Sequence, residues 1–138
     1  MVTYLDSSVL LRVLLDQEPK LAGWRSIEGP ITNELTEVEC FRTLDRFRLV
    51  RRLSAPRIAE LQAAAYEILQ TVEIVALARS ILRRAAQPFP TPLGSLDAIH
   101  LSTALVWRER NDEEVVLATH DAALGLGARA AGLHVIGL

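Results

Sequence analysis

The 138-residue sequence predicts an α/β fold with a parallel central sheet of four to five strands and helices on both faces. Two observations carry this prediction. Short β-prone runs alternate with longer helical patterns from one end of the chain to the other. One run, Val115 to Ala118, is apolar at every position, as a strand covered on both faces requires.

Val2 to Leu5 is the first β-prone run, and it ends at Asp6. Ser7 or Ser8 can cap a helix through Leu15, with Val9, Leu10, Val13 and Leu14 on its apolar side. Pro19 is placed to open a second helix reaching about Ile27, and Gly29-Pro30 stops it. Ile31-Thr32 is a very short strand, followed by a helix from about Glu34 to Leu49. Ser54-Ala55-Pro56 combines an N-cap with an early proline and starts a helix with Ile58, Leu61, Ala65, Ile68 and Leu69 on one stripe. Val72 to Val75 reads as a strand and Ala78 to Ala86 as a short helix. Pro88, Pro90 and Pro92 then enforce irregular backbone. Ser95 is placed to cap a helix from Leu96 to about Arg110. After the Val115–Ala118 strand, Asp121 to Ala131 is helical, Gly132 ends it, and His134 to Ile136 is the last strand. There is no internal repeat, linker or low-complexity tract, so one domain over residues 1–138 is expected.

Half of the residues are hydrophobic and 23% are charged, which excludes a disordered chain. A single cysteine, Cys40, allows neither an internal disulfide nor a cysteine-based zinc cluster and suggests a reducing compartment. No run approaches the roughly 20 apolar residues of a membrane span, and Met1 to Asp6 lacks the basic start of a secretory signal. A cytoplasmic location is therefore expected. The formal net charge of -2 gives no general attraction for nucleic acid. Yet Arg42 to Arg57 carries six arginines (42, 46, 48, 51, 52 and 57) against one acid, Asp45. Such a segment is either a solvated helix face or a surface for phosphates or an acidic partner, because arginine binds both bidentately.

Ligands of an open parallel sheet bind outside the carboxyl ends of its strands. Four acids fall there. Asp6 follows the first strand, and Glu39 lies about a turn into the helix after Ile31-Thr32. Asp97 opens the helix before Val115–Ala118, and Asp121 follows that strand. Each also has a structural explanation. Asp6 and Asp121 can act as helix N-caps, Asp97 suits the positive end of a helix dipole, and Glu39 can close a capping box with Thr36. However, Ser7, Ser8 and Ser95 are already available as caps, and Asp6 and Asp97 are flanked by apolar residues. Only Glu39 has an arginine, Arg42, within four residues. Carboxylates converging without cations repel, at about 4 Å and an effective dielectric near 20 by roughly 4 kcal/mol per pair. A shared proton or a bound cation relieves this, and oxygen-only donors favour Mg²⁺ or Mn²⁺ over zinc.

At these residues the sequence resembles PIN-domain proteins, and among them the VapC-type toxins of type II toxin–antitoxin systems. Four blocks carry the resemblance: Tyr4-Leu5-Asp6-Ser7-Ser8-Val9-Leu10, Thr32 to Glu39, Leu96-Asp97-Ala98-Ile99-His100-Leu101-Ser102-Thr103-Ala104, and Leu117-Ala118-Thr119-His120-Asp121. The third is the most specific, and the four in order span essentially the whole chain. The resemblance implies a PIN-like fold with Asp6, Glu39, Asp97 and Asp121 around Mg²⁺ or Mn²⁺, the last position being the most variable among relatives. The resemblance also implies that the hydroxyls of Ser7 and Thr119 hold waters of the metal ion. His120 is not typical of its slot, and His100 reads as a hydrogen-bonded core residue.

The implied activity is endoribonucleolytic hydrolysis of RNA phosphodiesters, with the divalent ion making water a better nucleophile. The resemblance further implies a cognate VapB-like antitoxin that covers the site, and a homodimer. Arg42, Arg46, Arg51 and Arg52 are the expected contacts to the RNA backbone or to the antitoxin. The alternative is a catalytically silent PIN-like module that binds RNA or protein, although silent relatives tend to lose the acids. A phospho-accepting receiver domain is disfavoured, because the only lysine is Lys20. A flap nuclease would need DNA-binding additions that 138 residues leave little room for.

Overall fold

The computed structural model describes residues 1–138. Five strands form one wholly parallel sheet: β1 (Val2–Leu5), β2 (Pro30–Asn33), β3 (Glu73–Val75), β4 (Val115–Ala118) and β5 (His134–Ile136). Their spatial order is β3-β2-β1-β4-β5, so the chain builds outward from β1 in one direction and then returns to build outward in the other. The switch lies between β1 and β4, which pair from Val2 opposite Val115 to Leu5 opposite Ala118. Six helices flank the sheet: α1 (Ser7–Leu14), α2 (Glu34–Arg51), α3 (Ala55–Gln70), α4 (Arg79–Ala85), α5 (Ser95–Asn111) and α6 (Ala122–Ala130). None is long and apolar enough to cross a membrane.

Alternation along the strands separates two cores. Val2 and Tyr4 of β1, with Val115 and Leu117 of β4, face Leu101, Ala104 and Leu105 of α5 and Leu124 and Ala128 of α6. Leu5 and Ala118 face the other way, toward Val9 and Leu10 of α1, Cys40 of α2 and Leu69 of α3. A smaller cluster of Leu14, Leu44, Leu61 and Ala65 joins α1, α2 and α3 farther from the sheet. Both faces of β1 and β4 are thus covered, which is why all four residues of each are buried.

Several helix ends follow the expected chemistry. The Ser54 hydroxyl accepts from the Arg57 amide with proline just inside α3, Asp121 Oδ1 accepts from the Leu124 amide at 2.9 Å, and Gly132 adopts φ +79° after α6. Three expectations are corrected. The segment after Pro19 is not a helix. Only a 3₁₀ turn at Trp24–Ser26 forms, because Gly23 takes a left-handed φ of +68° that breaks any helical run after four residues. Ser95 is the first residue inside α5, whose N-cap is Gly94, so its hydroxyl does not cap. Likewise α1 begins at Ser7 with Asp6 at the N-cap, and neither serine caps it.

Candidate active site

Most polar residues of the interior gather toward the carboxyl edge of the sheet. Asp6, Thr32, Asn33, Thr36, His100, Thr103 and Thr119 are all buried there. Their bonds tie the strand ends together. The Thr32 hydroxyl donates to the Leu5 carbonyl at 2.7 Å, and Asn33 Nδ2 donates to the Thr103 hydroxyl at 2.9 Å. Asn33 Oδ1 caps α2 through the Thr36 amide, which fixes the direction in which that helix leaves β2.

Asp6 is 4% exposed and makes no capping bond to the amides of α1. Instead, two hydroxyls converge on its Oδ2. Ser8 Oγ donates at 2.6 Å and Thr119 Oγ1 at 2.9 Å. Each hydroxyl in turn accepts a backbone amide of the turn after β4, Ser8 from His120 at 3.0 Å and Thr119 from Asp121 at 2.9 Å. The backbone dipoles of that turn are thereby relayed onto the carboxylate. Thr119 thus joins the end of β4 to the end of β1. Ser7 is buried but makes no bond to Asp6, and Ser8 is the serine that does.

Glu39 does not close a capping box with Thr36, whose amide is already taken by Asn33. Its Oε1 accepts from His100 Nε2 at 2.6 Å, with the imidazole 1% exposed. His100 Nε2 also lies 3.6 Å from Asp6 Oδ1, and Nδ1 is 2.7 Å from the Tyr4 hydroxyl. Burial alone would lower the His100 pKa. The bond to Glu39, with the charges of Asp6, Glu39 and Asp97, outweighs it, so the imidazole is raised above its ordinary value. Burial, then the charge of Asp6, push the Tyr4 phenol well above its usual range.

Asp97 stands in the first turn of α5, partly buried, with no hydrogen bond or ion pair to any side chain. Its carboxyl is pushed up from the ordinary value, first by burial, then by the charges of Asp121 and Asp6 and, less, of Glu39; His100 acts against them. Asp6, Glu39 and Asp121 thus act on Asp97 through their charges rather than by contact. Asp121 is exposed and spends Oδ1 on capping α6, so its structural role is realised alongside its electrostatic one. No arginine or lysine forms an ion pair with any of the four. His100 is the one basic side chain in contact with Asp6 and Glu39.

As the side chains stand, no three of these groups come close enough to ligate one ion directly. The donor chemistry nonetheless fits a hard cation. The ligating atoms are all oxygens, and Mg²⁺ keeps several of its waters and needs only one or two carboxylates directly. The unrelieved repulsion on Asp97 is what such an ion would remove.

The arginines divide into two groups. Arg42 and Arg46 line a groove that runs from Glu39 over an apolar floor of Leu11, Leu35, Val38 and Leu96. Arg51 and Arg52 lie twelve or more residues beyond Glu39 along α2, about 18 Å away at 1.5 Å per residue. Arg51 stacks on Phe47 at 5.3 Å, and Arg52 takes the left-handed C-cap position. Arg42 and Arg48 share Asp45, and Arg57 pairs with Glu60, so much of the positive segment is internally compensated. His120 Nδ1 donates to the Gly137 carbonyl at 2.6 Å, tying the turn after β4 to the residue after β5.

Sequence reading missed the bonds of His100 to Glu39 and to Tyr4. The available signal was the spacing of Asp97 and His100, one helical turn apart and so on one face of α5.

Comparison with known proteins gives the same frame. No curated protein sequence matches the chain. A chain in a solved structure described as a toxin–antitoxin complex from Klebsiella pneumoniae superposes with a TM-score of 0.64 at 18% identity, covering 98% of this chain and 96% of that one. At that identity the likeness concerns the fold. The profile of the PIN domain, a family whose members are generally nucleases, matches residues 3–125, and so the chain belongs to the PIN domain family.

Proposed function

We propose that this protein is a Mg²⁺- or Mn²⁺-dependent endoribonuclease that acts as the toxin of a toxin–antitoxin pair. The observation that carries the reading is Asp97. It is a carboxyl in a family of nucleases, pushed upward first by burial and then by the charges of Asp121, Asp6 and Glu39, and matched by no arginine or lysine. Asp6, Glu39, Asp97 and Asp121 would hold the ion. When bound, it supplies positive charge at the phosphate and a more acidic water for attack on phosphorus. The protein's own share is positioning. Ser8 and Thr119 fix Asp6 through Oδ2 and leave Oδ1 facing the cluster. Asp97 is the carboxylate least engaged by the protein and therefore the one best able to take the proton of an attacking water. Arg42 and Arg46 sit where an RNA backbone leaving the acids would run, while Arg51 and Arg52 would reach only a longer ligand.

The antitoxin partner is supported by the neighbouring fold from a toxin–antitoxin complex and by the apolar, arginine-edged groove beside Glu39. A homodimer in the cytoplasm completes the reading. A second reading, a silent PIN-like module that binds RNA or protein, is favoured by one observation: no three groups are preset around an ion.

One experiment separates the two. Purified protein is incubated with a pool of RNAs in Mg²⁺, in EDTA, and as Asp97→Asn in Mg²⁺. Cleavage in the first arm alone is expected. Equal cleavage by the Asp97→Asn protein would reject the acid site, and no cleavage in any arm would favour the silent module.

A further inference from the structure

We propose that Tyr4 and His100 form a buried clamp whose task is to position the Glu39 carboxylate for the divalent ion, making both of them positioning residues. The inference rests on the metal-dependent reading above.

A carboxylate only accepts hydrogen bonds, so the contact to Glu39 Oε1 places a proton on His100 Nε2 whichever charge the ring carries. The ring is held at its other nitrogen by the Tyr4 hydroxyl and at its edge by the Tyr4 ring, 5.9 Å away and tilted by 65°. Tyr4 is itself fully buried in β1. The imidazole therefore has no freedom to turn, and the direction of its Nε2–H is set by the sheet. Glu39 is a long side chain on α2 with its carboxylate 22% exposed, and without a fixed donor it would sample several rotamers. Only Oε1 is engaged, which leaves Oε2 for a ligand.

The placement argues against a histidine merely satisfied in the core. Tyr4 lies on β1 two residues before Asp6, and His100 lies one turn after Asp97 on one helix. The clamp thus ties Glu39 to the strand that leads into Asp6 and to the helix that carries Asp97. Residues behind metal ligands typically alter affinity about 10- to 100-fold when removed.

The test is Mn²⁺ binding by the full chain, measured by calorimetric titration at constant pH, with thermal unfolding in EDTA as the control for folding. Tyr4→Phe keeps the packing and removes the hydroxyl, and it should weaken Mn²⁺ binding about tenfold. His100→Gln, whose amide nitrogen reaches the Nε2 position, should stay near wild type. His100→Asn, which reaches only the Nδ1 position, should lose about 10- to 100-fold. In a Glu39→Gln background, Tyr4→Phe should have no further effect. Unchanged Mn²⁺ affinity in Tyr4→Phe, or a loss that persists undiminished with Glu39→Gln, would overturn the clamp while leaving the metal reading intact. A wild-type protein that binds no Mn²⁺ would overturn both. If His100→Asn does not fold, the Tyr4→Phe pair decides.

Discussion

Thr119 offers the sharpest measure of how tightly the acid edge is built into the fold. Thr119→Val keeps the shape and removes the hydroxyl. That hydroxyl is fully buried, donates to Asp6 Oδ2 at 2.9 Å and accepts the Asp121 amide at 2.9 Å. A hydrogen bond to a charged group contributes about 1.5–3 kcal/mol. Asp6, 4% exposed, cannot readily replace it with water, whereas the amide of exposed Asp121 can. The expected loss is therefore about 2–3 kcal/mol, close to the value for the first bond alone. With an unfolding entropy of about 2.1 cal/mol/K per residue over 138 residues, Tm falls by about 7–10 °C. Thr119→Ser keeps the hydroxyl, gives up one methyl group and should cost about 1 kcal/mol, or 3–4 °C. Scanning calorimetry of the metal-free protein in EDTA at pH 7 reads both. A Thr119→Val protein within 2 °C of wild type, or a Ser variant as unstable as the Val one, would refute the relay from turn to carboxylate.

Two further outcomes follow from the electrostatics. Because the Asp97 carboxyl is raised, its ionised form destabilises the folded chain above the folded-state value. Asp97→Asn should leave Tm in EDTA at neutral pH unchanged or higher, and a marked drop would mean that the side chain serves the helix instead. The His100 imidazole is also raised, facing Tyr4 from β1, Asp6 from the end of β1, Glu39 from α2 and Asp97 from its own helix. A raised base contributes stability that is complete below the unfolded value of about 6.5 and is lost as pH rises through the folded value. The Tm of metal-free protein, followed above pH 6.5, should therefore fall, and the decline should flatten in His100→Gln. An identical slope in that variant would assign the titration elsewhere.

Much of the fold was legible because the code for it is local. Alternation between strand and helix, the all-apolar β4 and the Ser54-Ala55-Pro56 start are properties of neighbouring residues. The places of Asp6, Asp97 and Asp121 along the chain were legible for the same reason, since strand ends and helix starts can be located from pattern alone. What the sequence withheld was pairing over distance. Tyr4 and His100 are 96 residues apart, and Glu39 and His100 are 61 apart. No periodicity relates them, and the local rule that matched Glu39 with Thr36 lost to the Asn33 cap. The choice between Ser7 and Ser8 turned on one residue of helix start. Successive residues on a helix point about 100° apart, so placing Asp6 at the N-cap brings Ser8 under its carboxylate and turns Ser7 away. The segment after Pro19 failed because a propensity for starting a helix says nothing about whether Gly23 will let it continue.

The pairing of β1 with β4 sets an order of events during synthesis. Asp6 and Thr119 are 113 residues apart, so the first strand emerges with one long edge unpartnered and waits for most of the chain. At about 5–20 residues per second that interval is roughly 5–20 s. Until β4 docks, Asp6 has neither its Thr119 donor nor the company of Asp121, and an interrupted chain carries the acids only as scattered, solvated charges. The meeting of Asp6 with the turn after β4 is thus withheld from the nascent chain by topology alone.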